Sequence, residues 1–173
     1  MKKFALLALL MTLTFGAFAT EKDFSIQIDV PTFMGLNNGG AKATMFGVGI
    51  TGDNYFTESV GLYSAVYFNK ANGGISIDSK IGVAIRPLNT EKFSLVLAPV
   101  ADVNFIFGGG LAMFIGAGLD VTANYKINEQ FYITAGTDVD YYLFDLIDSS
   151  SGTGFGSASA LLINPHAGIT IKM

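Results

Sequence analysis

The chain has 173 residues, 50% of them hydrophobic, and that length suits one domain. Charged residues make up only 14%, against roughly 25% in an ordinary soluble domain. The 10 Lys+Arg against 14 Asp+Glu give a net charge of -4, without the basic excess a nucleic-acid binder needs, and the absence of Cys excludes disulfides, thiolate metal sites and a lipidated cysteine.

The first segment reads as an export signal. Met1, Lys2 and Lys3 form a short positive region, residues 4–15 an apolar run interrupted only by threonines, and Ala17-Phe18-Ala19 a small-x-small cleavage site. The apolar run is too short for the ~20 residues of a spanning helix. Cleavage after Ala19 leaves residues 20–173 as the mature domain.

Alternation of apolar and small or polar residues follows nearly everywhere, less tidily in the earlier strands, the period of strands whose successive side chains point to opposite faces. Phe24, Ile26, Ile28 and Val30 alternate with Ser25, Gln27 and Asp29, and Phe46, Val48 and Ile50 with Gly47 and Gly49. Val60, Leu62, Val66 and Phe68 oppose Gly61, Tyr63, Ala65 and Tyr67; Ile75, Ile77, Ile81, Val83 and Ile85 oppose Ser76, Asp78, Lys80, Gly82 and Arg86. Phe93, Leu95, Leu97, Val103, Phe105 and Phe107 continue the pattern, with Ser94, Asp102 and Asn104 between them. Leu111, Met113, Ile115, Leu119 and Val121 oppose Gly116, Gly118, Asp120 and Thr122; Phe131, Ile133, Val139, Tyr141 and Leu143 oppose Thr134, Gly136, Asp138 and Asp140. Last, Leu161, Ile163, Ile169, Ile171 and Met173 oppose Asn164, His166, Gly168 and Thr170.

Turn-rich stretches at 37–40, 51–58, 69–74, 87–92, 108–110, 127–130 and 145–157 separate the runs. Eight strands are predicted, over 23–36, 41–51, 59–69, 74–86, 92–107, 110–126, 130–146 and 158–173, joined as an antiparallel meander. A soluble sandwich would carry many Lys and Glu on its outer face. Here the face opposite the bulky apolar residues is small and mildly polar, rich in Gly, Ser, Thr, Asn and Asp. Small residues inside and bulky ones outside suit a narrow barrel in lipid, and closure removes the sheet edges that lipid does not tolerate. The fold class predicted is an all-β, eight-stranded antiparallel up-and-down transmembrane barrel. Phe93, Tyr125 and Phe131 near one rim, and Phe68, Phe105, Phe107 and Tyr141 near the other, suit the aromatic girdles of such barrels.

This pattern resembles the small bacterial outer-membrane β-barrels that include the OmpA transmembrane domain, OmpX-like and opacity-type proteins. It spans the whole mature chain, and its most specific piece is the last strand, Ala167-Gly168-Ile169-Thr170-Ile171-Lys172-Met173. In that family such a strand is read by the barrel-assembly machinery and usually ends in Phe, where this chain has Met173. The segment Asn124 to Tyr132 is similar to the family's periplasmic hairpin. The resemblance implies outer-membrane residence in contact with lipid, both termini in the periplasm, and outward loops near 37–40, 69–74, 108–110 and 145–157. The loop at 145–157, with Asp148, Ser149 and Phe155, is the one long enough to contact an extracellular ligand or host partner, or to be a plain connection.

The inner face carries Asp-Val at 102–103, 120–121 and 138–139, spaced by eighteen, with Asp140 following. A hairpin-length repeat predicts Asp102, Asp120 and Asp138 on neighbouring strands at similar depth. Crowded carboxylates need cations, so Lys80, Arg86, Lys126 and Lys172 are the expected partners. Either a salt-bridged core or a cation site or path fits this cluster. His166, the only His, shares the inner face and is expected to meet Asp138 or Asp140 across the last hairpin. In the family's lipid A-deacylating and palmitoyl-transferring members a His-carboxylate pair works at the lipid-facing surface, whereas parity turns His166 inward. No cofactor or metal is implied, and no P-loop, dinucleotide fingerprint or zinc spacing occurs. The expected role is structural or interactive and not enzymatic; a narrow pore or cation conduit, a lipid-modifying enzyme and a soluble periplasmic β-sandwich are the rivals.

Overall fold

The computed structural model describes residues 19–36, 42–71, 73–108, 110–149 and 152–173. Ten strand segments occur in chain order: β1 (Glu21–Asp29), β2 (Thr32–Gly35), β3 (Lys42–Thr44), β4 (Phe46–Tyr55), β5 (Val60–Ala71), β6 (Gly74–Asn89), β7 (Phe93–Phe107), β8 (Leu111–Lys126), β9 (Phe131–Ser149) and β10 (Gly152–Lys172). Two pairs are halves of single strands. Pro31, which has no N–H for the ladder, separates β1 from β2, yet Val30 N still donates to Pro165 O (3.1 Å) and Met45 N to Pro31 O (2.9 Å) across the break. Joining β1 with β2 and β3 with β4 gives eight antiparallel strands.

The sheet closes on itself. Each strand pairs with its sequence neighbours, and β10 returns to β1 with Asp23 opposite Lys172 and Asp29 opposite His166. Alternation sets the two faces as predicted. Ile26, Val48, Phe68, Ile81, Leu119, Ile133 and Ile169 stand outward and exposed. Ser25, Gln27, Asp29, Lys80, Arg86, Thr122 and Thr134 point into the lumen and are buried. Exposed apolar side chains over the whole outer wall suit lipid and would be a liability in water. Phe93, Tyr125 and Phe131 are exposed near the terminal end of the barrel, and Phe46, Phe68 and Tyr141 near the other. No described helix is long and apolar enough to cross a membrane.

Glycines on the inner face make space. A Cβ at Gly49 would overlap the Tyr67 ring, one at Gly118 the Asp140 carboxylate, and one at Gly136 the His166 imidazole. Each large lumen side chain thus lies over a neighbouring strand that has none at that point. Gly73 serves a different end: with φ +99 it supplies the left-handed residue of the tight turn between β5 and β6. At the terminal end, side chains close the turns. Thr57 Oγ1 accepts from Val60 N at 3.0 Å, Thr90 Oγ1 from Phe93 N at 3.0 Å, and Asn128 Oδ1 from Gln130 N and Phe131 N, both at 2.9 Å.

Four predicted turns are shorter than expected, the one at 69–74 because β5 stays paired to Ala71, opposite Gly74 at the start of β6. The strand over 41–51 continues as β4 to Tyr55, because β1 and β5 flank it and bond its backbone through Glu21↔Tyr55 and Tyr55↔Gly61. The turn at 87–92 shrinks to 90–92. A register shift between Ile85 and Leu88 takes up Pro87, and Leu88 and Asn89 rejoin the ladder opposite Leu95 and Ser94. The predicted loop at 145–157 is largely paired strand, with Ser149 opposite Gly152 and Asp148 opposite Thr153 down to Phe144 opposite Ser157. Main-chain pairing overrides a Ser- and Gly-rich composition that suggested a loop. The predicted loop at 37–40 lies outside the described residues. So do the side chains of Asp148, Ser149 and Phe155.

Candidate functional site: the charged lumen

The lumen is filled at three depths. At the terminal end Arg86 of β6 reaches across to β1, donating from Nη1 to Glu21 Oε1 (2.6 Å) and from Nη2 to Asp23 Oδ2 (2.8 Å). Its guanidinium stacks 3.7 Å from the Tyr55 ring centroid, a cation–π contact away from bulk water. Lys172 of β10 adds a second cation 2.9 Å from Glu21 Oε1. A belt of hydroxyls and an amide lies beside this: Ser25 meets Thr170 at 2.6 Å, Thr134 bonds Thr170, and Thr134 Oγ1 donates to Asn124 Oδ1 at 2.7 Å.

Mid-depth is the layer of His166. Thr122 Oγ1 donates to Asp120 Oδ1 (2.6 Å) and lies 3.1 Å from His166 Nε2. Asp120 Oδ2 accepts from Tyr63 OH at 3.3 Å and stands 3.8 Å from His166 Nε2. Tyr67 OH donates to Gln27 Oε1 at 3.0 Å beside them. A hydroxyl, an imidazole and a carboxylate are the parts of a nucleophilic relay, but the arrangement differs. In a relay the carboxylate holds one ring nitrogen while the hydroxyl meets the other. Here both approach Nε2, and the His166 and Asp120 side chains have zero exposure. An apolar collar of Ala65, Ala84, Val96, Ala98 and Val100 lines the wall around this layer.

Above it lies the acid cluster. The Lys80 ammonium meets Asp140, with Asp138 Oδ2 at 3.0 Å and Asp78 Oδ2 at 3.3 Å, and all four side chains have zero exposure. Asp102 stands opposite Lys80 in the β6–β7 ladder, and Asn164 Nδ2 donates to Asp138 Oδ2 at 3.3 Å. Charge-assisted bonds in so dry a place bind strongly, yet the desolvation they offset is comparably large. An aromatic cap closes this end. Phe33, Phe114 and Tyr142 pack with ring centroids 5.0, 5.7 and 5.8 Å apart, on Met45, Ala160 and Leu162.

All seven lumen residues expected from sequence, Lys80, Arg86, Asp102, Asp120, Asp138, Asp140 and His166, are buried inside the barrel. Their grouping differs in three respects. His166 meets Asp120 and Thr122, because Asn164 and not His166 stands opposite Asp138 in the β9–β10 ladder. Asp120 and Asp138 are directly opposed, but Asp102 stands opposite Gly116, closer to the aromatic cap. A spacing of eighteen aligns two residues only when the hairpin is centred midway between them. The 127–130 turn satisfies this for 120 and 138; the 108–110 turn is off-centre for 102 and 120. Among the expected cations, Lys80 joins the Asp cluster, Arg86 and Lys172 serve Glu21 and Asp23, and Lys126 pairs with Glu129 in the exposed turn at 2.9 Å. Sequence reasoning did not select Asp78, Tyr55, Tyr63, Tyr67, Tyr142 or the Phe33–Phe114 pair. Parity marks Asp78, Tyr63 and Tyr67 as inward; Phe33 and Tyr55 lie where the alternation breaks.

No protein-family model and no curated protein sequence matches the chain. Solved structures do. Neisserial surface protein A superposes with a TM-score of 0.59 at 15% identity, covering 87% of this chain and 97% of that one. OprG, the outer membrane protein of Pseudomonas aeruginosa, gives 0.56 at 14% identity, with 90% and 96% covered. Ail, the attachment invasion locus protein of Yersinia pestis, gives 0.53 at 11% identity, with 88% and 98% covered. At such identities it is the architecture that is shared, over nearly the full length of each. With its closed eight-stranded wall, apolar outside and packed lumen, the chain has the fold of the small outer-membrane β-barrels.

Proposed function

We propose that the protein is a closed, non-conducting barrel of the bacterial outer membrane whose role is structural or interactive and is exercised at its outward rim. The observation that carries this reading is the filled lumen. A solute would have to pass the Arg86–Glu21–Asp23 belt, the Tyr63–Asp120–His166 layer, the Lys80 cluster and the Phe33–Phe114–Tyr142 cap in turn. Eight strands leave room for side chains and little else. His166 has no route to a lipid substrate, which speaks against a lipid-modifying enzyme.

Export by cleavage after Ala19, periplasmic termini and assembly through the β10 strand belong to the same reading. Interaction at the rim draws support from Ail, an attachment invasion locus protein whose structure has also been solved with a heparin analogue. On this chain the element offered for such contact is the β9–β10 hairpin. From Gly152 to Ser159, β10 runs past its last pairing with β2 at Ala160.

Two measurements test it. Reconstituted into planar bilayers, the purified barrel should give no discrete conductance steps; reproducible steps would establish the rival pore. A cysteine placed by Ser149→Cys, unique because the chain has none, should react with a membrane-impermeant maleimide on intact cells. Labelling only after the outer membrane is broken would put the hairpin on the periplasmic side and remove the surface role.

A further inference from the structure

The acid cluster carries more negative charge than its lysine can balance. Asp78, Asp102, Asp138 and Asp140 gather around one ammonium, four carboxylates against a single Lys80, with the side chains that hold it at zero exposure. Among the described residues neither oxygen of fully buried Asp102 has a hydrogen-bond donor, and Asp78 Oδ1 and Asp140 Oδ1 also lack one. Asp140 gives one oxygen to a hydrogen bond from Lys80 and keeps the other, Asp78 has only the 3.3 Å ion pair from its Oδ2 to Lys80 and no hydrogen bond at either oxygen, and Asp102 keeps both. One oxygen from each of Asp78, Asp102 and Asp140 lies within 4.8 Å of the other two, a spread that fits the roughly 5 Å across a Ca2+ shell built from bonds of about 2.3–2.6 Å.

From this geometry we infer that the lumen binds a hard divalent cation of the size of Ca2+ at Asp78, Asp102 and Asp140, alongside Lys80. The donors are all carboxylate oxygens, which select Ca2+-type ions over the softer metals that imidazole or thiolate would hold. Water completes a shell to which the protein gives three ligands. The cation is taken up as the barrel closes, since the aromatic cap and the His166 layer shut both approaches. The second group of possible ligands, Asp120, Asp138 and His166, is a weaker candidate: Tyr63, Thr122, Asn164 and Lys80 already direct donors at its carboxylates. The inference stands on the lumen alone and holds whatever the outer rim binds.

The chain provides its own reporter. It has no Trp, and Tyr142 lies two residues along β9 from Asp140, its hydroxyl accepting from Asn104, the cross-strand neighbour of Asp78. The barrel is refolded into detergent with Ca2+ or Tb3+, desalted, and checked for folding by its gel mobility before heating. Metal is counted by mass spectrometry, and Tb3+ by luminescence excited through tyrosine. Folded wild-type barrel should retain stoichiometric Ca2+ and give sensitised Tb3+ emission, with none in the boiled chain. Asp102→Asn keeps the side chain's shape and should lower retained metal by at least about 10-fold, since changes around a metal's ligands commonly cost that much affinity. Asp120→Asn should leave it unchanged. Folded wild-type barrel without metal would overturn the inference and mean that protons neutralise the cluster. Equal retention by Asp102→Asn, or loss with Asp120→Asn instead, would overturn the assignment of the site.

Discussion

Lys80 carries its ammonium to the axis of the barrel, where Asp78, Asp138 and Asp140 surround it at zero exposure. Removing one member of a buried ion cluster leaves the others uncompensated, at a cost of about 3–5 kcal/mol. Lys80→Met, which keeps the length of the stem, should therefore lower unfolding stability in detergent micelles by that amount, read from the urea or guanidinium midpoint. A change below about 1 kcal/mol, as exposed ion pairs give, would mean the cluster is solvated and the lumen open. The facing of these residues was legible in the sequence because parity along a strand is strict. Lys80, Asp102, Asp120, Asp138 and His166 all fall on the parity opposite outward apolar residues such as Ile81, Val103, Leu119, Val139 and Ile163. Their partners were not legible. Which side chains meet across the lumen depends on register and strand stagger around the closed wall, so His166 found Asp120 and Arg86 found Glu21 and Asp23.

At the scale of the element, each strand has one face for lipid and one for the lumen. Leu119 of β8 tests this most cleanly: it is 44% exposed, flanked by Pro99 and Val139 in the ladders, and sits between inward-facing Gly118 and Asp120. Leu119→Arg puts a charge on the outer wall near mid-height and should cost about 2–4 kcal/mol in a bilayer-refolding titration. Tolerance of the change would mean the outer wall is wet. The strands themselves were readable from alternation, and seven of the eight begin within two residues of the predicted start. Their far ends were less so. Tyr55, Asn89 and Ser149 extend β4, β6 and β9 through stretches whose Asp, Asn, Gly, Pro and Ser content suggests turns. A neighbouring strand that offers backbone partners outweighs local propensity, and the offer is visible only when the barrel is assembled.

For the whole molecule, closure is the decisive property. The pairing of β1 with β10, from Asp23 opposite Lys172 to Asp29 opposite His166, joins the ends of the chain and leaves the barrel wall without an open edge. An apolar exterior, a filled interior and a closed wall are mutually consistent; lipid surroundings require the first and the last, and the small strand number brings the filled interior. Alternation and the small, charge-poor inner face carried this much in the sequence; the aromatic cap over the acid cluster did not show, because it forms only when Phe33 of β2 meets Phe114 and Tyr142 of the β8–β9 hairpin inside the closed barrel. The most direct test of a closed outer-membrane barrel is its heat modifiability. The membrane fraction is dissolved in mild detergent, and boiled and unboiled samples are compared on SDS gels. The account predicts a mobility shift on boiling, from an SDS-resistant barrel to an extended chain, with the protein in the outer-membrane fraction. An unchanged mobility, with the protein recovered in a detergent-free periplasmic extract, would contradict it and make the exposed apolar face the core of a soluble β-sandwich.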